Sequence, residues 1–209
     1  MDRSRTDGRA LKIVRAADHR HMPWKNGGGE TTEIAVFPQA AGLDDFDWRV
    51  SMARVEASGP FSVFPGIDRT LAILEGEGIR LAVGGTDGAD IRLESGPHSF
   101  AADIATEAVL LGGAIRDLNV MTRRNRWSHR VTNSSVKTTT DMALEATVTI
   151  LLCTSGRVAI TSGDGVGALG PLDAALFSAA NPAVTIDPES SADLYVIELF
   201  AAGEMRRSE

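Results

Sequence analysis

The chain holds one cysteine and four histidines among its 209 residues. An intramolecular disulfide is therefore excluded, and a reducing compartment fits. Cys153 lies inside the apolar run "TILLCTS", where a thiol acts as a small core side chain. Positive charge is in deficit: 21 Lys and Arg stand against 28 Asp and Glu, for a net charge of -7. That balance opposes general affinity for nucleic acid, which depends on neutralising phosphates. Long apolar runs are missing too. No window approaches the ~20 apolar residues of a membrane span. The opening "MDRSRTDGRALKIVRAADHR" carries no apolar stretch of the kind that forms a secretory leader. The expectation is a cytoplasmic protein that touches neither membrane nor nucleic acid.

Strand signals dominate what is present. "TTEIAVF", "DWRVSMARVE", "RTLAILEGEGIRLAV", "EAVLLGGAI", "TVTILLCTSGRVAIT" and "ADLYVIELF" are short, rich in β-branched residues and punctuated by Gly, Pro, Asp, Asn and Ser. No long amphipathic helical stretch occurs. A short helical turn has room only at 39–45 or 121–130. The class is all-β, sandwich or barrel. Residues 71–85, "LAILEGEGIRLAVGG", resemble 149–163, "TILLCTSGRVAITSG". Each is a strand, a Gly-containing turn and a second strand, which suggests one β unit used twice. "RNRWSHRVTNSSVKTTTD" would connect the copies.

Several stretches could carry chemistry. "MPWKNGGGETTEIAVFP" is not a phosphate loop, because no G-K-[ST] follows and the next run is extended. Gly27–Gly29 are then either a turn or a backbone edge lining a pocket, with Asn26 as a donor. In "DFDWRVSMARVE", alternation puts Trp48, Val50 and Met52 on one face and Arg49, Ser51 and Ala53 on the other. In an ordinary sandwich that second face meets solvent; in a polar barrel it lines a cavity. "SGPFSVFPGIDR" sets Phe61 and Phe64 before Arg69, whose planar fork suits a carboxylate if it points inward. His19 and His21 form an H-x-H with no acidic residue to complete a metal site. The arginines of "DLNVMTRRNRWSHR" read as a solvated, partly self-paired surface loop.

"MPWKNGGGETTEIAV", "FDWRVSMARVEASGPFSVFPGIDRTLAILEGEGIRL" and "DLNVMTRR", in this order and spacing, resemble the HutD/Ves family of cupin-like proteins. The resemblance implies a double-stranded β-helix fold, a bicupin with one barrel over 11–130 and a second over 131–203. It also implies an association with histidine utilisation, in a regulatory binder of an acidic intermediate such as formylglutamate. One departure is Phe100-Ala101-Ala102-Asp103, where the family usually shows F-x-G-D. A metal-binding cupin carries H-x-H and Glu before a Gly. Anchored on Gly76, that pattern places Ser62 and Phe64 at the His positions and Arg69 at the Glu position. Neither this register nor the shorter one leaves a metal ligand, so Arg69 would supply the positive charge instead.

The leading expectation is thus a bicupin without metal or cofactor that binds a small acidic metabolite. Its pocket would comprise Trp24, Asn26, Arg49, Ser51, Phe61, Ser62, Phe64 and Arg69. A metal-independent isomerase or hydrolase is the alternative, with Glu33, Asp68 or His98 as acid or base. A protein-interaction module using the arginine-rich stretch is the third. Open barrel edges would admit a homodimer.

Overall fold

The computed structural model describes residues 11–25, 27–163, 165–178 and 183–203. Nearly all of the regular structure is strand; the exceptions are the 3-10 turns Ala16–Asp18 and Leu93–Ser95. Neither site for a short helical turn holds one. Residues 39–45 form turns, and within 121–130 the strand Ile115–Arg123 passes through a short turn into Trp127–Val136, a strand of a different sheet. The stretch read as a connection and an arginine-rich loop is therefore mostly strand. Its β-branched and aromatic residues favour extended backbone.

The chain divides into two compact units, one of residues 18–133 and 199–203, the other of 11–17 and 134–198. Residues 11–17, placed by sequence in the first barrel, belong to the second unit. Leu11–Val14 pairs antiparallel with Ala174–Ser178, and Arg15 binds Asp173 at 2.8 Å.

The strands form four sheets. In the first unit the larger sheet runs Arg20–Pro23, Gly29–Phe37, Trp48–Val55, Ile115–Arg123, Ile67–Glu75, His98–Ala101. The smaller runs Gly59–Pro60, Thr106–Leu110, Ile79–Val83, Ala89–Ile91. The remaining strands repeat the scheme. Trp127–Val136, Ala192–Ala201, Val148–Ser155 and Ala174–Ser178 follow the order of the large sheet, with Leu11–Val14 added at its edge. Thr140–Ala143, Ala183–Pro188, Val158–Ser162 and Gly165–Leu169 follow that of the small one. Eight successive strands thus correspond one to one. In strand pairing among the described residues, none of the four sheets closes into a barrel; each unit instead packs a large sheet on a small one.

What fills the two units differs. The second is packed with apolar side chains from both sheets, among them Leu151, Cys153, Phe177, Leu194, Val158, Ile160 and Ile186. The first has an apolar cluster at one level, formed by Val55, Leu71, Ile73, Ile79, Leu81 and Ile115. Beside it, Arg49, Ser51, Arg69, Asp117 and Asn119 are also buried.

The turn from large to small sheet needs glycine in both units. Gly78 and Gly156 have φ of +103° and +75°. An added Cβ would lie 2.2 Å from the Ile91 carbonyl oxygen and 2.1 Å from that of Ser191. Both obstacles are backbone and cannot swing aside. Gly156→Ala is accordingly expected to lower unfolding free energy by roughly 1–3 kcal/mol in denaturant melts, whereas Gly163→Ala, with open space around it, should change little.

Candidate functional site

The large sheet of the first unit aims its polar residues at the interior. Residues directly opposite in an antiparallel sheet share a face. Arg49 opposes Met121, which opposes Arg69, which opposes Phe100. One step along, Glu33, Ser51, Asn119, Leu71 and His98 align. Beyond them come Thr31, Ala53, Asp117 and Ile73. The opposite face carries Trp48, Val50 and Met52 and is also buried. The alternation read from sequence holds, and the Arg49 face meets the interior of the unit, not solvent.

These rows border a cavity of about 680 Å³. Of the residues expected from sequence, Trp24, Arg49, Ser51, Phe61, Ser62, Phe64 and Arg69 all line it. Asn26 lies outside the described residues. The loop bearing the phenylalanines is tied down by its backbone: Phe61 N–H donates to Thr106 O at 2.9 Å and Phe64 N–H to Ala102 O at 2.8 Å. The glycine run serves turn and wall together. Gly27, at φ +70°, donates to Trp24 O at 3.0 Å. Gly28 lines the cavity, and at Gly29 a Cβ would meet Arg54 O at 2.2 Å. The Trp24 indole N–H donates to Thr31 Oγ1 at 2.8 Å, which fixes the ring.

Arg69 is 7 % exposed. Its guanidinium lies 4.2 Å from the Phe61 ring centre and 5.7 Å from that of Phe100. Nε donates to Asn119 Oδ1 at 2.8 Å, and Nη2 donates to the same oxygen. Asn119 Nδ2 in turn donates to Asp117 Oδ1 at 2.6 Å. Burial pulls the Arg69 guanidinium down to about 10, against the pull of Asp117. Burial likewise pushes the Asp117 carboxyl up to about 6, against Arg69 and the Asn119 bond. Arg49 is the contrasting case, since its Nε donates to Glu33 Oε2 at 2.7 Å. Among the described residues, no carboxylate lies within ion-pair distance of Arg69.

Two acid–base candidates are engaged elsewhere: Glu33 with Arg49, and Asp68 with Arg124 at 2.7 Å. His98 stacks obliquely beside Phe100. The buried carboxyl of the cavity is Asp117, which sequence reasoning passed over. The alternation of Asp117, Asn119 and Met121 within "DLNVM" was the available signal. Arg124 also binds Asp103 at 2.9 Å, and Arg126 stands 2.7 Å from Asp47 Oδ1. The arginine-rich stretch is thus bound to the chain's own acids. Among the described residues no group of three or more His, Cys, Asp or Glu side chains could hold a metal. No helix among them is long and apolar enough to cross a membrane.

The family model for HutD matches residues 16–196. The chain belongs to the HutD family. This family is linked to histidine utilisation. An uncharacterized 21.2 kDa protein from the hutC 3' region of Pseudomonas putida is 42 % identical over 121 residues, covering 58 % of this chain and 63 % of that protein. This chain thus spans under two thirds of that relative's length. A conserved protein of unknown function from Pseudomonas aeruginosa PAO1 is similar in structure, with TM-score 0.85 and 34 % identity over 91 % of this chain and 99 % of that one. HutD from Pseudomonas fluorescens SBW25, in a formate condition, has TM-score 0.77 and 28 % identity, covering 93 % of this chain and all of the other. A cupin 2 conserved barrel domain protein from Leptotrichia buccalis, at 8 % identity and TM-score 0.54, shares the fold alone.

Proposed function

We propose that this protein is a bicupin that binds a small carboxylate, without metal and without turnover, in the cavity of its first unit. The observation that carries the reading is Arg69: a buried cation, facing a cavity, with no carboxylate in contact among the described residues. A buried charge whose counter-charge is held off by an intervening amide is costly, and a bound carboxylate would meet it directly through the guanidinium fork. The formate condition of the Pseudomonas fluorescens HutD structure is consistent with this chemistry. Membership of the family favours an acidic intermediate of histidine breakdown, of the formylglutamate kind, and a regulatory, cytoplasmic role. The repeated eight-strand order supports the bicupin reading, since it is that of two jelly rolls. The apolar second unit then serves packing.

A second reading, turnover of such an acid, draws on Asp117, a carboxyl raised toward neutrality at the same cavity. One experiment separates the two. The purified protein is titrated with formate, N-formylglutamate and urocanate in a thermal melt, and the mixtures are then followed by NMR. A carboxylate binder gains about 2.7 kcal/mol of stability at a hundredfold excess over Kd, and the acid stays unchanged. Product formation would favour turnover. No shift with any of the three would sink the carboxylate reading.

A further inference from the structure

The chain Asp117–Asn119–Arg69 has a property that simple anion binding does not need. Its two ends are opposite charges, both buried, joined by one amide. The amide can face only one way, because a guanidinium accepts no hydrogen bond and an ionised carboxylate donates none. Asp117 is therefore the counter-charge that Arg69 senses through Asn119 while the cavity holds no anion.

We infer that Asp117, acting through Asn119, sets the charge that Arg69 offers to the cavity, so that a carboxylate docks on Arg69 together with uptake of one proton at Asp117 Oδ2. This deepens the carboxylate reading above and rests on it. A docking carboxylate brings a second negative charge to a guanidinium that already balances one. Two carboxylates sharing one dry site do not both stay ionised without a penalty. The proton has a place to go. Asp117 is 1 % exposed, and its Oδ2 is buried and makes no hydrogen bond of ordinary geometry among the described residues, though the Ala53 backbone across the sheet reaches the carboxyl and favours its ionised form. Protonation there leaves Oδ1 free to keep accepting from Asn119, so the positioning of Arg69 survives.

The surroundings leave Asp117 as the group that answers. From the Ile67–Glu75 strand, Arg69 faces it. From Trp48–Val55 comes Arg49, already paired with Glu33 of Gly29–Phe37. On its own strand, Arg116 pairs with Glu75 at 3.5 Å. Against it the small sheet packs Ile79, Leu81 and Ala108, while Arg80 and Glu107 are exposed. His98, at the end of His98–Ala101, is the imidazole opposite Leu71 on the same sheet. Burial has already lifted the Asp117 carboxyl to about 6, so an added anion moves it through neutral pH.

The test is calorimetric titration of the full chain with sodium formate, an anion that stays ionised between about pH 6 and pH 8. At pH 7, two buffers of different ionisation enthalpy should give heats whose difference reports proton uptake, approaching one per formate. Formate affinity should weaken above about pH 6, by up to tenfold per pH unit, as one-proton linkage requires. Asp117→Asn, neutral and of the same shape, should flatten that profile. A wild-type protein that binds formate with no proton uptake overturns the inference and leaves the carboxylate reading standing. A slope that persists in Asp117→Asn assigns the proton to another group, such as His98, and also overturns it. No formate binding at any pH overturns both. If Asp117→Asn does not fold, the two-buffer comparison on the wild type decides alone.

Discussion

Arg69→Ala should lose carboxylate binding by 100-fold or more while changing the melting temperature of the ligand-free protein little. Both halves of this expectation rest on the same buried charge. Burial pulls the guanidinium down to about 10. The ligand-free protein therefore carries this charge at a cost in stability. Truncation removes that cost but leaves Asp117 buried without its counter-charge and Asn119 Oδ1 without its donor, so the two effects on stability oppose each other. It also removes the cation that a bound carboxylate would meet, and losing one partner of a buried, hydrogen-bonded charge pair costs about 2–5 kcal/mol of binding. Isothermal titration with formate and N-formylglutamate reads the first half, and a thermal melt without ligand reads the second. Arg69→Lys should fall between, because an ammonium keeps the charge but loses the fork that Asn119 and a carboxylate share. Undiminished affinity in Arg69→Ala would move the site elsewhere in the cavity. A large fall in melting temperature would make Arg69 a structural residue.

Much of this site was legible in the sequence, and the limits of that reading are physical. Alternation along "WRVSMA" separated Arg49 and Ser51 from Trp48 and Val50, because strand period is a local property. Which face met the interior was not local. It depended on the small sheet covering the Arg49 side, through Ile79, Leu81 and Ala108. Arg69, Phe61 and Phe64 were legible as one cluster, since they fall within nine residues around a turn. Asp117 was not: its partner Arg69 lies 48 residues away, and the link runs through an Asn119 side chain that reads equally well as a turn residue. The same applies at fold level. The likeness of 71–85 to 149–163 disclosed the repeat. The pairing of Leu11–Val14 with Ala174–Ser178 spans some 160 residues and leaves no local mark. The "RNRWSHR" stretch misled because its charge suggested solvent. Trp127 instead packs edge-on against Phe37 and Trp48, at ring distances of 5.8 and 6.4 Å, which holds the segment as strand.

The contrast between the two units makes the remaining large effect a test of what each interior does. Phe177→Ala should lower the unfolding free energy by about 3–5 kcal/mol, the range for removing a fully buried aromatic ring from a packed core. Phe177 is 1 % exposed and sits among Leu151, Ala175, Leu194 and Val196. Their backbones are pinned in sheet, so the vacated space cannot collapse and its lining loses contacts outright. Phe61→Ala, in the first unit, should cost far less stability. Its ring is only partly buried and borders a cavity, where deletion enlarges a space that already exists. Its effect should appear in binding instead, because the ring stands over the Arg69 guanidinium and keeps that charge dry. Urea denaturation followed by circular dichroism, set beside formate titration, measures both. A stability loss for Phe61→Ala as large as that for Phe177→Ala would mean that the first unit depends on this wall as a core. The division between a unit that packs and a unit that binds would then fail.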